Sequence, residues 1–214
     1  MPAGRPPQTF RVIDTDAPLN EEDVDPDPMV EFGRWFELAG RAGEPMPHAM
    51  ALATVTAGGE PAARMVLLHR AGPDGFVFFT NYESDKGRDL AAHARAALVF
   101  YWSRLHRQVR VTGPVEPTTR EESEAYWAQR PYGSRISATA SAQSRPIAAR
   151  ALLEAEVARL EALHPDGPPL PGFWGGYRVA PETVELWQGR TNRLHDRLRY
   201  VREGAGWRLE RLAP

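Results

Sequence analysis

From about residue 48 to residue 116, apolar residues tend to recur at every second position, in short runs broken by turn residues. That period confines the chain to a mainly β fold. The runs 48–56, 61–70 and 75–81 are joined by Ala57-Gly58-Gly59-Glu60 and Ala71-Gly72-Pro73-Asp74-Gly75, both of which carry hairpin chemistry. Residues 97–103 and 107–116 form a further strand pair, and 172–179, 183–187, 198–203 and 207–212 supply the last strands. Helical spacing appears at 28–40, where Met29, Phe32, Trp35, Phe36 and Ala39 share a stripe. Further helices are predicted at 84–95, at 118–129 (capped by Thr118 or Thr119 and stopped near Pro131) and at 144–163, whose Ala149, Leu153, Val157 and Leu160 should face a core. Short antiparallel strands with helices inserted between them predict a closed or half-closed β-barrel with peripheral helices, built as one domain over 29–214. Residues 1–28 are Pro-rich and acidic, and are expected to be a mobile arm.

Composition narrows the function classes. A formal net charge of −2 argues against nucleic-acid binding by bulk charge, so any anion site must be a local cluster. No apolar run approaches a membrane span, and the N-terminus lacks the apolar stretch of a signal peptide. The absence of cysteine removes disulfides, thiolate metal sites and cysteine nucleophiles, and fits a cytoplasmic protein. The six histidines show no metal-ligand spacing, so no metal is expected. No strand is followed by Gly-x-Gly-x-x-Gly, and there is no Gly-Lys-Ser/Thr phosphate loop.

Three clusters carry chemistry. In Trp187-Gln-Gly-Arg-Thr-Asn-Arg-Leu-His-Asp-Arg-Leu198, Arg193, His195 and Arg197 alternate, and on an extended segment all three would leave one face. Two guanidiniums and an imidazole beside an indole suit a flat anionic ligand; a surface strand with arginines paired to Asp196 or Glu185 fits the same spacing. In Tyr126-Trp-Ala-Gln-Arg-Pro-Tyr-Gly-Ser134, Tyr126 and Arg130 share a helix face and Ser134 follows in a loop. That grouping is either a phosphate site or an ordinary helix end. Arg64 lies among apolar strand residues, and Lys86 sits in the first turn of a helix, where backbone N–H groups also attract anions. Gln108 leaves its strand opposite Val109 and Val111.

The motif Trp-Gln-Gly-x-x-x-Arg-Leu-His-Asp-Arg, followed by a hairpin ending Arg-Leu-Ala-Pro, resembles the C-terminal signature of pyridoxamine 5′-phosphate oxidases, and the other two clusters stand in the matching order. The resemblance covers about residues 29 to 214 and implies an FMN-binding split β-barrel. It further implies that Arg64 and Lys86 hold the FMN phosphate, with Met65, Val66, Leu67, Leu68, His69, Phe79, Thr80 and Gln108 along ribityl and ring. Gln143, Ser144, Trp187 and Arg197 would come from the other subunit, so that a homodimer builds each site. Tyr126, Arg130 and Ser134, with His69, would take the substrate's 5′-phosphate. Arg193 and His195, with Leu194 between them, would lie over its pyridine ring as the catalytic pair.

The resemblance implies oxidation of pyridoxamine 5′-phosphate or pyridoxine 5′-phosphate to pyridoxal 5′-phosphate, with dioxygen reduced to hydrogen peroxide. Two alternatives stand beside it: a paralogous FMN oxidase of secondary metabolism, of the phenazine type, and a flavin- or pyridoxal-phosphate-binding protein with little turnover. Three departures from the family pattern bear on affinity and substrate. His69 stands where the family usually has lysine, Asp85 where it has arginine, and the arm lacks the family's Arg-x-x-Tyr segment.

Overall fold

A computed structural model describes residues 18–214. Ten strands form a single curled sheet: β1 (Ala49–Val55), β2 (Pro61–Leu67), β3 (Arg70–Gly72), β4 (Gly75–Asn81), β5 (Arg95–Trp102), β6 (Arg107–Pro117), β7 (Trp174–Val179), β8 (Thr183–Gln188), β9 (Asp196–Glu203) and β10 (Gly206–Arg211). Its main path runs β10-β9-β8-β6-β5-β1-β2, all antiparallel. The long strand β6 serves two partners, pairing β8 along Arg107–Thr112 and β7 along Val115–Pro117. Strand β7 then pairs β4, and the His69 N–H donates to the Val77 carbonyl (2.8 Å), tying the end of β2 to β4. The sheet thereby curls into a half-barrel, and β8–β10 continue it at one edge, with Val184, Leu186, Leu198 and Tyr200 buried in the same core.

The interior is aromatic and aliphatic. Leu52, Leu98, Phe100, Val109, Val111, Phe76 and Phe78 are fully buried. Helix α1 (Pro28–Arg41) plugs one end, its Phe32 ring 4.9 Å from Phe76 and 5.1 Å from Phe100. The helix starts where its residues dictate, with Asp27 accepting from the Met29 N–H and Pro28 in the first turn. Ahead of it, the stretch expected to be a mobile arm is docked from residue 18 onward. Leu19 is buried, and the Tyr200 hydroxyl donates to the Asp25 carbonyl (2.7 Å). The rest of that arm, 1–17, lies outside the described residues.

Four more helices sit at the periphery: α2 (Asp85–Ala92), α3 (Arg120–Gln129), α4 (Tyr132–Ala140) and α5 (Arg150–Leu163). Thr119, not Thr118, caps α3, in a capping box with Glu122. Helix α4 was expected to be loop. Pro131 does stop α3, but it also opens α4, a position that needs no amide N–H. Helix α5 begins at Arg150 rather than at 144: Pro146 disfavours helical backbone at Arg145, and Ala149, the residue before the helix, is extended. Of its predicted core stripe only Leu160 is buried; Leu153 and Val157 are half-buried and Ala149 is exposed. No helix among the described residues is long and apolar enough to cross a membrane.

Glycine is required at position 87. A Cβ there would collide with the Tyr82 backbone carbonyl, so α2 can lie against that strand end only without a side chain at this point. Gly87→Ala should destabilise the fold by roughly 1–3 kcal/mol, the usual range for overpacking. Thermal unfolding should register this at roughly 2–4 °C per kcal/mol for a chain of this size.

Candidate active site

The strand ends of β2 and β4, the start of α2, the end of α3 and Gln143 enclose a cavity of about 380 Å³. His48, Met65, Val66, Leu67, Leu68, His69, Phe79, Thr80, Lys86, Tyr126, Arg130 and Gln143 line it.

Ser84 builds the first end. Its hydroxyl accepts the Gly87 N–H and caps α2, which holds Lys86 in the first turn with its side chain inward. The Lys86 Nζ donates to Ser84 Oγ (3.2 Å) and to Gln143 Oε1 (3.0 Å), both neutral. Burial, and after it the charge of Arg64, push the Lys86 pKa below its ordinary value, while Asp85 and Asp89 act in the opposite sense. Lys86 belongs to none of the ion pairs of the described residues. Arg64 reaches from β2 to Thr54 Oγ1 (2.5 Å), the Leu52 carbonyl (3.3 Å) and Asp89 Oδ2 (3.1 Å). Thr54 itself donates to Asp89 (2.6 Å), so β1 and α2 together fix the guanidinium that β2 carries. This end of the cavity is a desolvated cation beside a second cation at a helix N-terminus, an arrangement that an anion stabilises. Asp85 is exposed and paired with Arg88, which offsets its charge.

The opposite end is aromatic and cationic. Phe79 stacks on Trp174 (5.4 Å, 12°) and lies 4.3 Å from the Tyr126 ring. His69 packs 4.2 Å from Tyr126 and edge-on to Phe79 at 5.0 Å. The Arg130 guanidinium sits 4.7 Å over Trp174, 5.6 Å from Trp127 and 5.9 Å from Tyr126. It donates to the Ser134 carbonyl (3.1 Å), its Nε is buried without a partner, and burial lowers its pKa. Partial burial, then the charge of Arg70, lowers the His69 pKa. Ser134 opens α4 and lines an adjoining cavity of about 690 Å³, which shares Arg130 and Gln143 with the first.

Gln143 bonds Lys86, and the Ser144 Oγ accepts the Asp85 N–H (3.2 Å), within one chain. One expectation needs correcting: Arg193, His195 and Arg197 do not alternate on one extended segment. Thr191–Arg193 is a 3₁₀ turn, Arg193 has φ 62°, and β9 begins only at Asp196. Arg193 and Leu194 are exposed. His195 lies 4.7 Å from the Trp187 ring, and its Nδ1 accepts the Arg190 N–H (3.1 Å). Arg197 pairs with Glu185 (2.9 Å), as the plain surface-strand reading has it. Tyr101, Gln108, Trp187 and Arg197 face one another across successive strands, on the side of the sheet away from the core. None of these four lines the cavity.

The sequence did not single out His48, Thr54, Asp89 or Trp174. Asp89 carried a signal, as an acid one helical turn beyond Asp85 on a helix already credited with anion binding; the others meet the site only through the sheet register.

A curled half-barrel of this strand order defines the class of split-barrel proteins. The pyridoxamine 5′-phosphate oxidase-related, FMN-binding protein of Nostoc punctiforme has the same fold, with a TM-score of 0.70 at 18% identity over 88% of this chain and 98% of that one. Within that class, the chain belongs to the pyridoxamine 5′-phosphate oxidase family. That family's description matches residues 39–164, and the pyridoxine 5′-phosphate oxidase C-terminal dimerisation region matches 174–214. A pyridoxine/pyridoxamine 5′-phosphate oxidase of Burkholderia multivorans is 55% identical over 96% of this chain and 97% of its own length. One from Rubrobacter xylanophilus is 56% identical over 94% and 93%. PhzG from Burkholderia lata, solved with tetrahydrophenazine-1-carboxylic acid, superposes with a TM-score of 0.89 at 32% identity, over 94% of this chain and all of that one.

Proposed function

We propose that this protein is an FMN-dependent oxidase that converts pyridoxamine 5′-phosphate or pyridoxine 5′-phosphate to pyridoxal 5′-phosphate. One observation carries the reading: a single cavity holds two partly desolvated cations without carboxylate partners, Lys86 at one end and Arg130 at the other. A phosphorylated cofactor and a phosphorylated substrate sharing one site need that arrangement. Lys86, Gln143 and the α2 N-terminus would hold the FMN phosphate, and Arg64, fixed by Asp89, would add its charge. Arg130, Tyr126, Ser134 and His69 would take the substrate phosphate. FMN, once bound, supplies the redox chemistry by accepting a hydride from the substrate and passing the electrons to dioxygen.

The same reading proposes a homodimer. Met65 and Leu67 line the cavity and also lie on the outer face of the sheet, where they are 63% and 49% exposed, with Tyr101 at 56%. A second copy covering that apolar face would close the cavity and bring Gln108, Trp187 and Arg197 to it. Arg193 and His195 would then face the substrate ring.

Addition of pyridoxamine 5′-phosphate to the aerobic, flavin-loaded protein should release hydrogen peroxide and pyridoxal 5′-phosphate in equal amounts. A yellow protein that makes neither product from either vitamer would overturn the reading. The likeness to PhzG supports a second one, oxidation of a reduced phenazine carboxylate, and peroxide formed from that substrate alone would select it.

His69 adds a pH dependence. Its ring is neutral near pH 7, because partial burial and Arg70 lower its pKa, and a phosphate dianion beside it would raise that pKa again. Substrate binding then takes up a proton. Affinity should fall as pH rises between the free and bound pKa values, by at most about tenfold per pH unit. The KM for pyridoxamine 5′-phosphate should therefore climb more steeply with pH, from the lowered free pKa upward, in the parent than in His69→Lys. Parallel pH profiles would disprove the contact.

A further inference from the structure

The loop 189–195, between β8 and β9, holds an unfavourable backbone. Asn192 (φ 54°) and Arg193 (φ 62°) are consecutive non-glycine residues in the left-handed region. Such conformations cost on the order of 1 kcal/mol each and persist only where their surroundings impose them. Anchors therefore have to act at both ends of the loop.

The first anchor is Gln188, whose buried side chain accepts from Arg107 Nε (2.7 Å) and donates to the Leu105 carbonyl (3.2 Å). The second is its register partner Asp196, next to His195. Asp196 Oδ1 accepts from Arg211 Nη1 (2.7 Å), and its Oδ2 accepts the Leu19 N–H (3.1 Å) and lies 3.7 Å from Arg190 Nε. Arg211 also donates to the Leu19 carbonyl (2.8 Å) and to both Glu21 oxygens (2.8 and 2.7 Å). Hydrogen bonding to Arg211 holds the Glu21 carboxyl down at about 2, so the pair stays ionised at any working pH. The clasp reaches the imidazole through one more residue: Arg190, beside Asp196, gives its backbone N–H to His195 Nδ1. That bond leaves Nε2 as the protonated nitrogen of the neutral ring.

We infer that the Glu21–Arg211–Asp196 clasp is a positioning device, by which the segment ahead of α1 sets the conformation of the loop that carries Arg193 and His195. The inference rests on the proposed substrate role of those two residues. Arg211 and Glu21 are half-exposed, and ion pairs in that setting add little to global stability. What the clasp controls is geometry: a guanidinium hydrogen bond from Arg211 and the nearby charge of Arg190 converge on the one residue that links loop to strand. Misplacement of a substrate-facing group by about 1 Å is enough to cost orders of magnitude in rate.

Flavin-loaded parent, Glu21→Gln and Arg211→Met should be compared by three measurements. Trypsin nicking at the Arg190–Thr191 and Arg193–Leu194 bonds, read by mass spectrometry, reports opening of the loop. Arg211→Met should be nicked about tenfold faster there, and its kcat/KM for pyridoxamine 5′-phosphate should fall about tenfold. Glu21→Gln should move both in the same direction by less. The unfolding temperature should stay within about 2 °C of the parent, with flavin absorbance unchanged. Parental nicking in both variants would overturn the inference, as would flavin loss in proportion to activity. Faster nicking with unchanged kcat/KM would uphold the clasp and instead remove Arg193 and His195 from the substrate site.

Discussion

Lys86→Met should weaken FMN binding by about 100-fold, close to 3 kcal/mol and the upper end for a charge-assisted hydrogen bond. The flavin-free protein should meanwhile unfold at the same temperature or slightly higher. The opposite signs follow from what surrounds the ammonium group. Without flavin, Lys86 has only a hydroxyl and an amide oxygen as acceptors, and a second cation, Arg64, disfavours its charge. Removing a desolvated charge that has no ion-pair partner costs a folded protein little and relieves repulsion. With flavin bound, the same ammonium would meet a phosphate dianion, and its loss would leave Arg64 and the α2 N-terminus to hold it. Thr54 and Asp89 hold Arg64 in place, so it adds its charge but cannot move to replace the lost ammonium. Titration of apo-protein with FMN and a melting curve on the same sample measure both effects. A variant that melts well below the parent and binds FMN normally would make Lys86 a structural residue.

Much of the fold follows from the period-two pattern. Strand β4 spans the expected residues because Gly75 and Asn81 bound a continuous apolar run, and β6 runs nearly as expected because Val109, Val111 and Val115 alternate towards the core. The pattern fails where a residue type serves two purposes. Pro131 reads as a stop, yet it stops one helix and starts the next. Alternating Arg193, His195 and Arg197 read as a strand, yet Gly189-Arg-Thr-Asn192 carries turn chemistry, and Asn192 takes the left-handed conformation that Asn tolerates better than most residues. The site was legible mainly through its motifs, since periodicity says which face a residue occupies and not what it meets. That Arg64 is held by Thr54 and Asp89, and that Gln143 reaches Lys86 within one chain, depends on contacts between residues 10 to 57 positions apart. No spacing rule encodes these contacts.

Arg130→Leu should raise the KM for pyridoxamine 5′-phosphate by about 100-fold, since a guanidinium–phosphate contact in a partly desolvated site contributes roughly 2–3 kcal/mol. FMN affinity should change little, because Lys86 stands at the other end of the cavity. The surroundings of Arg130 make it the strongest anion ligand available there. Three aromatic rings hold the guanidinium, its Nε is buried without a hydrogen-bond partner, and the acceptors around it, the Ser134 carbonyl and the Tyr126 hydroxyl, are uncharged. No carboxylate competes with an incoming phosphate. The aromatic cage also explains why lysine would be a poor substitute: a flat guanidinium stacks on Trp174 and still presents N–H groups at its edge, whereas an ammonium on a flexible stem does neither. Arg130→Lys should therefore recover only part of the loss. The alternative is that Arg130 merely terminates α3 and joins it to α4, in which case Arg130→Leu would lower the unfolding temperature and leave KM near its parental value. Steady-state kinetics with pyridoxamine 5′-phosphate, beside a substrate analogue lacking the phosphate, separates the two. A phosphate ligand loses its advantage for the phosphorylated substrate alone, while a helix-linking residue affects both equally.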